Sequence, residues 1–168
     1  MSTDTQEHCM PAGPGAEHQR LHDFVGTWKA TVTMWMGPGE PMVSTGTMVN
    51  TMELDGRYLR EEYKGDPNDG PFPAFMGKGY WGFNDARGVY EGFWIDNASN
   101  QMGVERGDFD PGTKSWEMKG ETVMPGMGAA EKRSVITLVS KNEHTMEMYF
   151  TGPDGHEVRC MHIKYVRA

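Results

Sequence analysis

The sequence predicts an all-β protein, a closed antiparallel up-and-down barrel of about eight to ten strands preceded by a short N-terminal helix. Three observations carry this expectation. From Trp28 onward, about ten β-type segments follow one another at roughly 8–14-residue spacing, separated by Gly, Pro, Asn and Asp turn chemistry. No helical periodicity lies between them. A meander of consecutive hairpins leaves two unpaired edges unless it closes on itself, and closure removes both.

Composition agrees. With 22 Gly, 10 Pro and 11% aromatic residues, the 168-residue chain favours short strands joined by tight turns, and its length suits one domain rather than two. The net charge of −8 argues against nucleic acid or an anionic membrane as partner. No apolar run approaches the length of a membrane span. Residues 1–20 lack the basic start, apolar middle and small-residue cleavage site of a signal peptide, which reads as a cytoplasmic protein. Cys9 and Cys160 are then expected as two thiols rather than a disulfide.

Residues 1–15 form a polar leader ending in Pro11-Ala-Gly-Pro-Gly15, and residues 16–168 form the domain. Leu21, Phe24 and Val25 recur at helical spacing over Ala16 to Val25, with Gly26 expected as the C-cap. The period then becomes two: Trp28, Ala30, Val32 and Met34 alternate with Lys29, Thr31 and Thr33. A turn at Gly37–Pro41 leads to a strand over Met42–Leu54, and Asp55-Gly56 marks a hairpin to Arg57–Lys64. Gly65 to Pro73 holds three prolines and two glycines in nine residues, so no ladder strand crosses it. Strands are expected over 75–83, 89–96, 101–109 and 114–123, then a loop over Met124–Ala130. The last three cover 131–140, 145–151 and 156–167.

Gly26-Thr27-Trp28 after a short helix resembles the first-strand signature of lipocalin-like barrels. A broader resemblance lies in His18-x-x-Leu21-x-x-Phe24-x-Gly26-x-Trp28, Gly56-Arg-Tyr-Leu-Arg-Glu-Glu-Tyr63, Gly82-Phe-Asn84, Trp94-Ile-Asp96, Met146-Glu-Met-Tyr149 and Gly152-Pro-Asp-Gly155. Together these resemble the uncharacterised bacterial family known as domain of unknown function 1579, over residues 16–167. The resemblance implies a lipocalin-like, calycin-type barrel, and it brings no established activity and no functional residues to carry over. In lipocalin-like barrels the residue matching Trp28 resembles a plug at the closed end beneath a basic side chain of the last strand, here Arg167 or Lys164.

A lumen is where a small molecule would sit. On the third strand one face reads Leu59, Glu61, Tyr63 and the other Tyr58, Arg60, Glu62. If the more apolar face points inward, Glu61 becomes a ligand-orienting carboxylate or a proton acceptor with a raised pKa. The alternative is a carboxylate paired with a neighbouring Arg or facing water. Trp94 shares a face with Gly92 and Asp96; beside a small residue it leaves a shaped gap, and Asp96 reads as a turn former before Asn97.

His18 and His22 lie at i,i+4, but no Glu follows His18 and no third ligand is predictable, so no metal site is assigned. Cys160 and His162 are expected on one strand face. The place of His162 is similar to that of the haem-binding histidine of nitrobindin-like barrels, which makes haem an alternative cofactor where none is otherwise expected. The pairs Met34/Met36, Met124/Met127 and Met146/Met148 are scattered, which suits an adaptable core or pocket wall better than copper. No nucleophile-elbow or phosphate-loop motif occurs.

The candidate ligand-binding residues are thus Arg60, Glu61, Tyr63, Trp81, Trp94 and His162, with Gly26 and Trp28 structural and no catalytic residue assigned. The expected function is binding of a small, partly apolar ligand in the lumen. The alternatives are an isomerase or hydrolase using a lumen carboxylate, a haem-binding barrel, and an interaction domain forming a homodimer through an outer face.

Overall fold

A computed structural model of the chain describes residues 13–68, 73–124, 126 and 128–168. Most of the expected leader, with Cys9, and part of the Gly65–Pro73 interruption lie outside the described residues. Helix α1 (Ala16–Leu21) passes into one 3-10 turn (His22–Phe24) and then into ten strands. These are β1 (Gly26–Met34), β2 (Met42–Glu53), β3 (Tyr58–Gly65), β4 (Met76–Asn84), β5 (Val89–Asp96), β6 (Gly103–Asp110), β7 (Ser115–Met124), β8 (Gly128–Ser140), β9 (Glu143–Thr151) and β10 (Glu157–Arg167). Every strand pairs antiparallel with its sequence neighbour, and β1 pairs with β10, so the sheet is a closed barrel as expected. Closure leaves no free edge among these strands. No helix of the described residues is long and apolar enough to cross a membrane.

Two local expectations need correction. Gly26 is the first residue of β1, not a helix cap; the helix ends at Leu21, and Val25 follows the 3-10 turn in extended conformation. Its φ of 131° and missing side chain serve a tertiary contact, because a Cβ there would collide with the Arg167 guanidinium. The expected loop over Met124–Ala130 is shorter, since Met124 already pairs with Gly128. The Gly-Ala-Ala start of β8 carries little strand propensity, and the ladder with β7 overrides it.

Because residues directly opposite in an antiparallel pair share a face, the registers define the interior. Starting from buried Trp28, the inward set runs through Met48, Tyr63, Gly77 and onward around the barrel. The helix closes one end. Leu21 and Phe24 are fully buried against Leu59, Trp81, Tyr90, Trp116 and Met118. Each such side chain contributes about 1.5–3 kcal/mol of burial. Beside them the Trp28 indole donates from Nε1 to the Phe24 carbonyl at 2.8 Å, and the Asn50 amide donates to the same oxygen at 3.1 Å. Arg167 lies 4.1 Å over the Trp28 ring and donates to the carbonyls of Val25, Asp23 and Lys141. The basic residue over Trp28 is therefore Arg167, while Lys164 pairs with Glu143 on the outside.

Candidate functional site: a polar cluster in the barrel lumen

Above the packed closed end the interior changes character. Inward positions are held by glycine at 77 and 79 on β4, 92 on β5, 103 on β6 and 120 on β7, which thins this wall. Inward-facing Trp94, Glu105, Lys132, Met146, Met148 and Met161 all keep part of their surface accessible, unlike the residues around Phe24. The barrel interior is fully buried at one end and partly accessible toward the other.

Glu61 lies on the inner face of that part of the barrel. It pairs with Asn50 on β2 and Gly79 on β4, both inward positions. Burial pushes its carboxyl up to about 7 from the ordinary 4.5, with the negative charge of Glu105 adding to the rise. Among the described residues the carboxyl has no hydrogen-bond or ion-pair partner, although it keeps some accessible surface. Glu105, by contrast, is fully engaged. One oxygen meets Lys132 Nζ at 3.1 Å and the other accepts the Ser134 hydroxyl at 2.7 Å, with the Lys132 and Glu105 side chains 14% and 18% exposed.

The aromatic wall surrounds Glu61. Tyr63 and Tyr165 are buried, and neither hydroxyl has a partner among the described residues. The Tyr165 phenol is held well above its ordinary range by burial and then by repulsion from Glu61 and Tyr63, so it stays protonated and able to donate. Trp94 lies flat on β4, where a Cβ at Gly77 would collide with its ring and one at Gly79 would come within 2.9 Å of it. The shaped space expected beside Trp94 is provided by these glycines across the ladder as well as by Gly92. Trp81 is buried among Phe24, Tyr90 and Trp116, at ring separations of 5.3, 6.2 and 5.5 Å, so it forms the floor of the lumen.

Two of the expected ligand residues are elsewhere. Arg60 alternates with Glu61 and points outward, where it pairs with Glu53 at 3.2 Å and Glu62 at 3.3 Å. His162 sits between inward Met161 and Ile163 and faces out opposite Glu147 and Thr33. It therefore cannot present its imidazole to the lumen as a haem ligand would require. A bulge between Arg159 and Met161 also breaks the alternation expected to place Cys160 with His162. Cys160 instead donates to the Met148 carbonyl, and burial pushes its thiol up to about 11. Asp96 is a turn former, accepting from the backbone N–H of Ala98 and Ser99.

The interior histidine is one the sequence reading did not single out. His144 stacks on Tyr165 at 4.4 Å and meets Trp28 and Phe24 edge-on. Burial, then the positive charge of Arg167, lowers it to about 3, so it is neutral at ordinary pH. His18 is also buried, and its Nδ1 accepts from the Gly15 N–H, whereas His22 is exposed beyond the end of α1. Among the described residues no three His, Cys, Asp or Glu side chains come together as metal ligands.

A closed ten-stranded barrel with a helix across one end and polar side chains on part of its inner face has the lipocalin-like architecture. The chain belongs to the family described as "Protein of unknown function (DUF1579)", whose model matches residues 13–167. No curated protein matches it in sequence. Among solved structures it is similar to Rv2717c from M. tuberculosis, at 12% identity and TM-score 0.65, over 92% of this chain and 98% of that one. It is also similar to the S-type phycobiliprotein lyase CPES from Guillardia theta, at 10% identity and TM-score 0.59, again over 92% and 98%. At these identities the likeness is one of fold alone.

Proposed function

We propose that this barrel binds a small, partly apolar molecule in its lumen, with Glu61 holding the molecule's polar end. One observation carries the reading: a carboxyl group inside the barrel that no described protein group satisfies. Leaving such a group desolvated and unpaired costs free energy, and proteins keep that arrangement mainly where a ligand or water completes it. Met146, Met148, Met161 and Trp94 supply an adaptable apolar wall around it. The test is titration with the neutral fluorescent probe N-phenyl-1-naphthylamine, comparing the native chain with Met146→Trp, which narrows the lumen. The reading expects saturable binding that the variant weakens while keeping the native circular dichroism. No binding, or binding indifferent to the variant, would overturn it.

A second reading has an observation in its favour. A carboxyl with a pKa of about 7, beside phenols that remain protonated, is the pairing of base and hydrogen-bond donor used in proton abstraction next to a carbonyl. It makes an isomerase or hydrolase the enzymatic alternative. Exchange of solvent deuterium into a panel of simple ketones, abolished by Glu61→Gln, would favour it over binding alone.

A further inference from the structure

The lumen carries an uneven set of charges. Around the ring of registers, the inward-facing ionisable groups at mid-depth are Glu61, Glu105 and Lys132, flanked by the phenols of Tyr63 and Tyr165. Lys132 is occupied by Glu105, whose second oxygen is taken by Ser134. Asp96, nearer the mouth, is engaged by its own turn. Neutral His144 faces the closed end among aromatic rings, and Arg167 caps the outside of that end, committed to three backbone carbonyls. Among the described residues Glu61 is therefore left without a counter-ion. The groups near it are π-faces and hydroxyls: Trp94 flat against the glycine wall one strand beyond Gly79, and the buried Tyr63 and Tyr165, whose hydroxyls have no partner among the described residues. A carboxylate set among aromatic rings is the arrangement that attracts a weakly hydrated organic cation, through ion pairing and ring quadrupoles together.

We propose that the lumen selects a cationic amphiphile, an apolar body ending in an ammonium or amidinium group, with Glu61 as counter-ion and Trp94, Tyr63 and Tyr165 as the surrounding aromatic surface. The proposal rests on the reading of the lumen as a ligand site and adds the charge of what enters it. An anionic ligand would meet Glu61 with Lys132 already neutralised, and a neutral one would leave the ionised carboxylate unpaired.

The test is calorimetric titration with nonyltrimethylammonium, 1-nonanol and nonanoate, which differ chiefly in charge. At about pH 8 the cation is expected to bind about tenfold more tightly than the alcohol, with the anion weakest. Glu61→Gln should remove most of that preference while leaving the alcohol's affinity within about twofold. In the unmutated chain the preference should also shrink from about pH 8 to about pH 5.5, where the carboxyl is protonated, so the proposal stays testable if the variant misfolds. Equal binding of cation and alcohol, stronger binding of nonanoate, or a cation preference that survives both Glu61→Gln and acidification would overturn it while leaving the lumen as a ligand site. Binding of none of the three would remove the ligand-site reading itself, and this proposal with it.

Discussion

Replacing Glu61 with Gln should stabilise the protein, and only at the alkaline end of its range. The folded carboxyl titrates at about 7 against an ordinary 4.5, because burial and then Glu105 disfavour its charge. A carboxyl raised in this way adds stability that is fully present below about pH 4.5 and is lost as pH rises through about 7, since the folded state holds a proton that the unfolded chain has released. The gap of about 2.5 pH units, at about 1.4 kcal/mol per unit, sets a ceiling of about 3 kcal/mol. Water reaching the lumen face lowers that, so the expected gain of Glu61→Gln is about 1–3 kcal/mol at pH 8 and near zero at pH 4.5. Urea denaturation of both proteins at the two pH values reads it directly. Taking the difference between the proteins cancels the titrating groups that are not coupled to Glu61. A loss of stability in Glu61→Gln at pH 8, or a difference that does not change with pH, would refute the claim that a strained, unpaired carboxylate lies inside.

Three further outcomes follow from the packing. Arg167→Ala removes the cation over Trp28 and donors to three backbone carbonyls, and should lower stability by about 2–4 kcal/mol in a chemical melt, with Arg167→Lys recovering little because it lacks the planar fork. Gly77→Ala forces the Trp94 ring off β4, so near-ultraviolet circular dichroism should change and stability should fall by about 1–3 kcal/mol. His144, lowered to about 3 from 6.5, contributes stability that is present above about pH 6.5 and lost as pH falls toward 3. His144→Phe, which keeps a ring against Trp28 and Tyr165, should therefore flatten the acid limb of the stability profile measured between those pH values.

The architecture was legible because it is written in short-range chemistry. Alternation in Trp28-Lys-Ala-Thr-Val-Thr-Met34, the Asp55-Gly56 hairpin and the turn at Asp110-Pro-Gly-Thr113 each specify a strand or its end locally. Closure followed from a meander whose edges need covering. Gly26 resembles a helix cap locally because its reason for being glycine, the Arg167 guanidinium, arrives from the other end of the chain. The site was half legible. Alternation on β3 separates Glu61 from Arg60, and apolar Met161 and Ile163 on either side indicate that His162 faces out. Glu105, Lys132 and Ser134 stand alone among mixed neighbours on β6 and β8, so only the registers across β7 bring them together. The start of β8 at Gly128 and the bulge before Met161 set those faces, and neither leaves a distinctive residue pattern.

Where a small molecule binds is the central question, since two surface grooves outside the barrel offer an alternative. One, of about 410 Å³, is lined by His18, Arg57, Phe83 and neighbours; the other, of about 290 Å³, by Glu17, Arg20 and Phe109 among others. The most direct measurement is NMR of the five tryptophan indole N–H signals, the histidine and phenylalanine ring signals and the Glu61 side-chain carboxyl, during titration with nonyltrimethylammonium. Binding in the lumen predicts large shifts at Trp94 and the Glu61 carboxyl, smaller ones at Trp81 on the floor, and none at outward-facing His162. Shifts confined to His18, Phe83 and Phe109, with Trp94 and Glu61 unmoved, would contradict it.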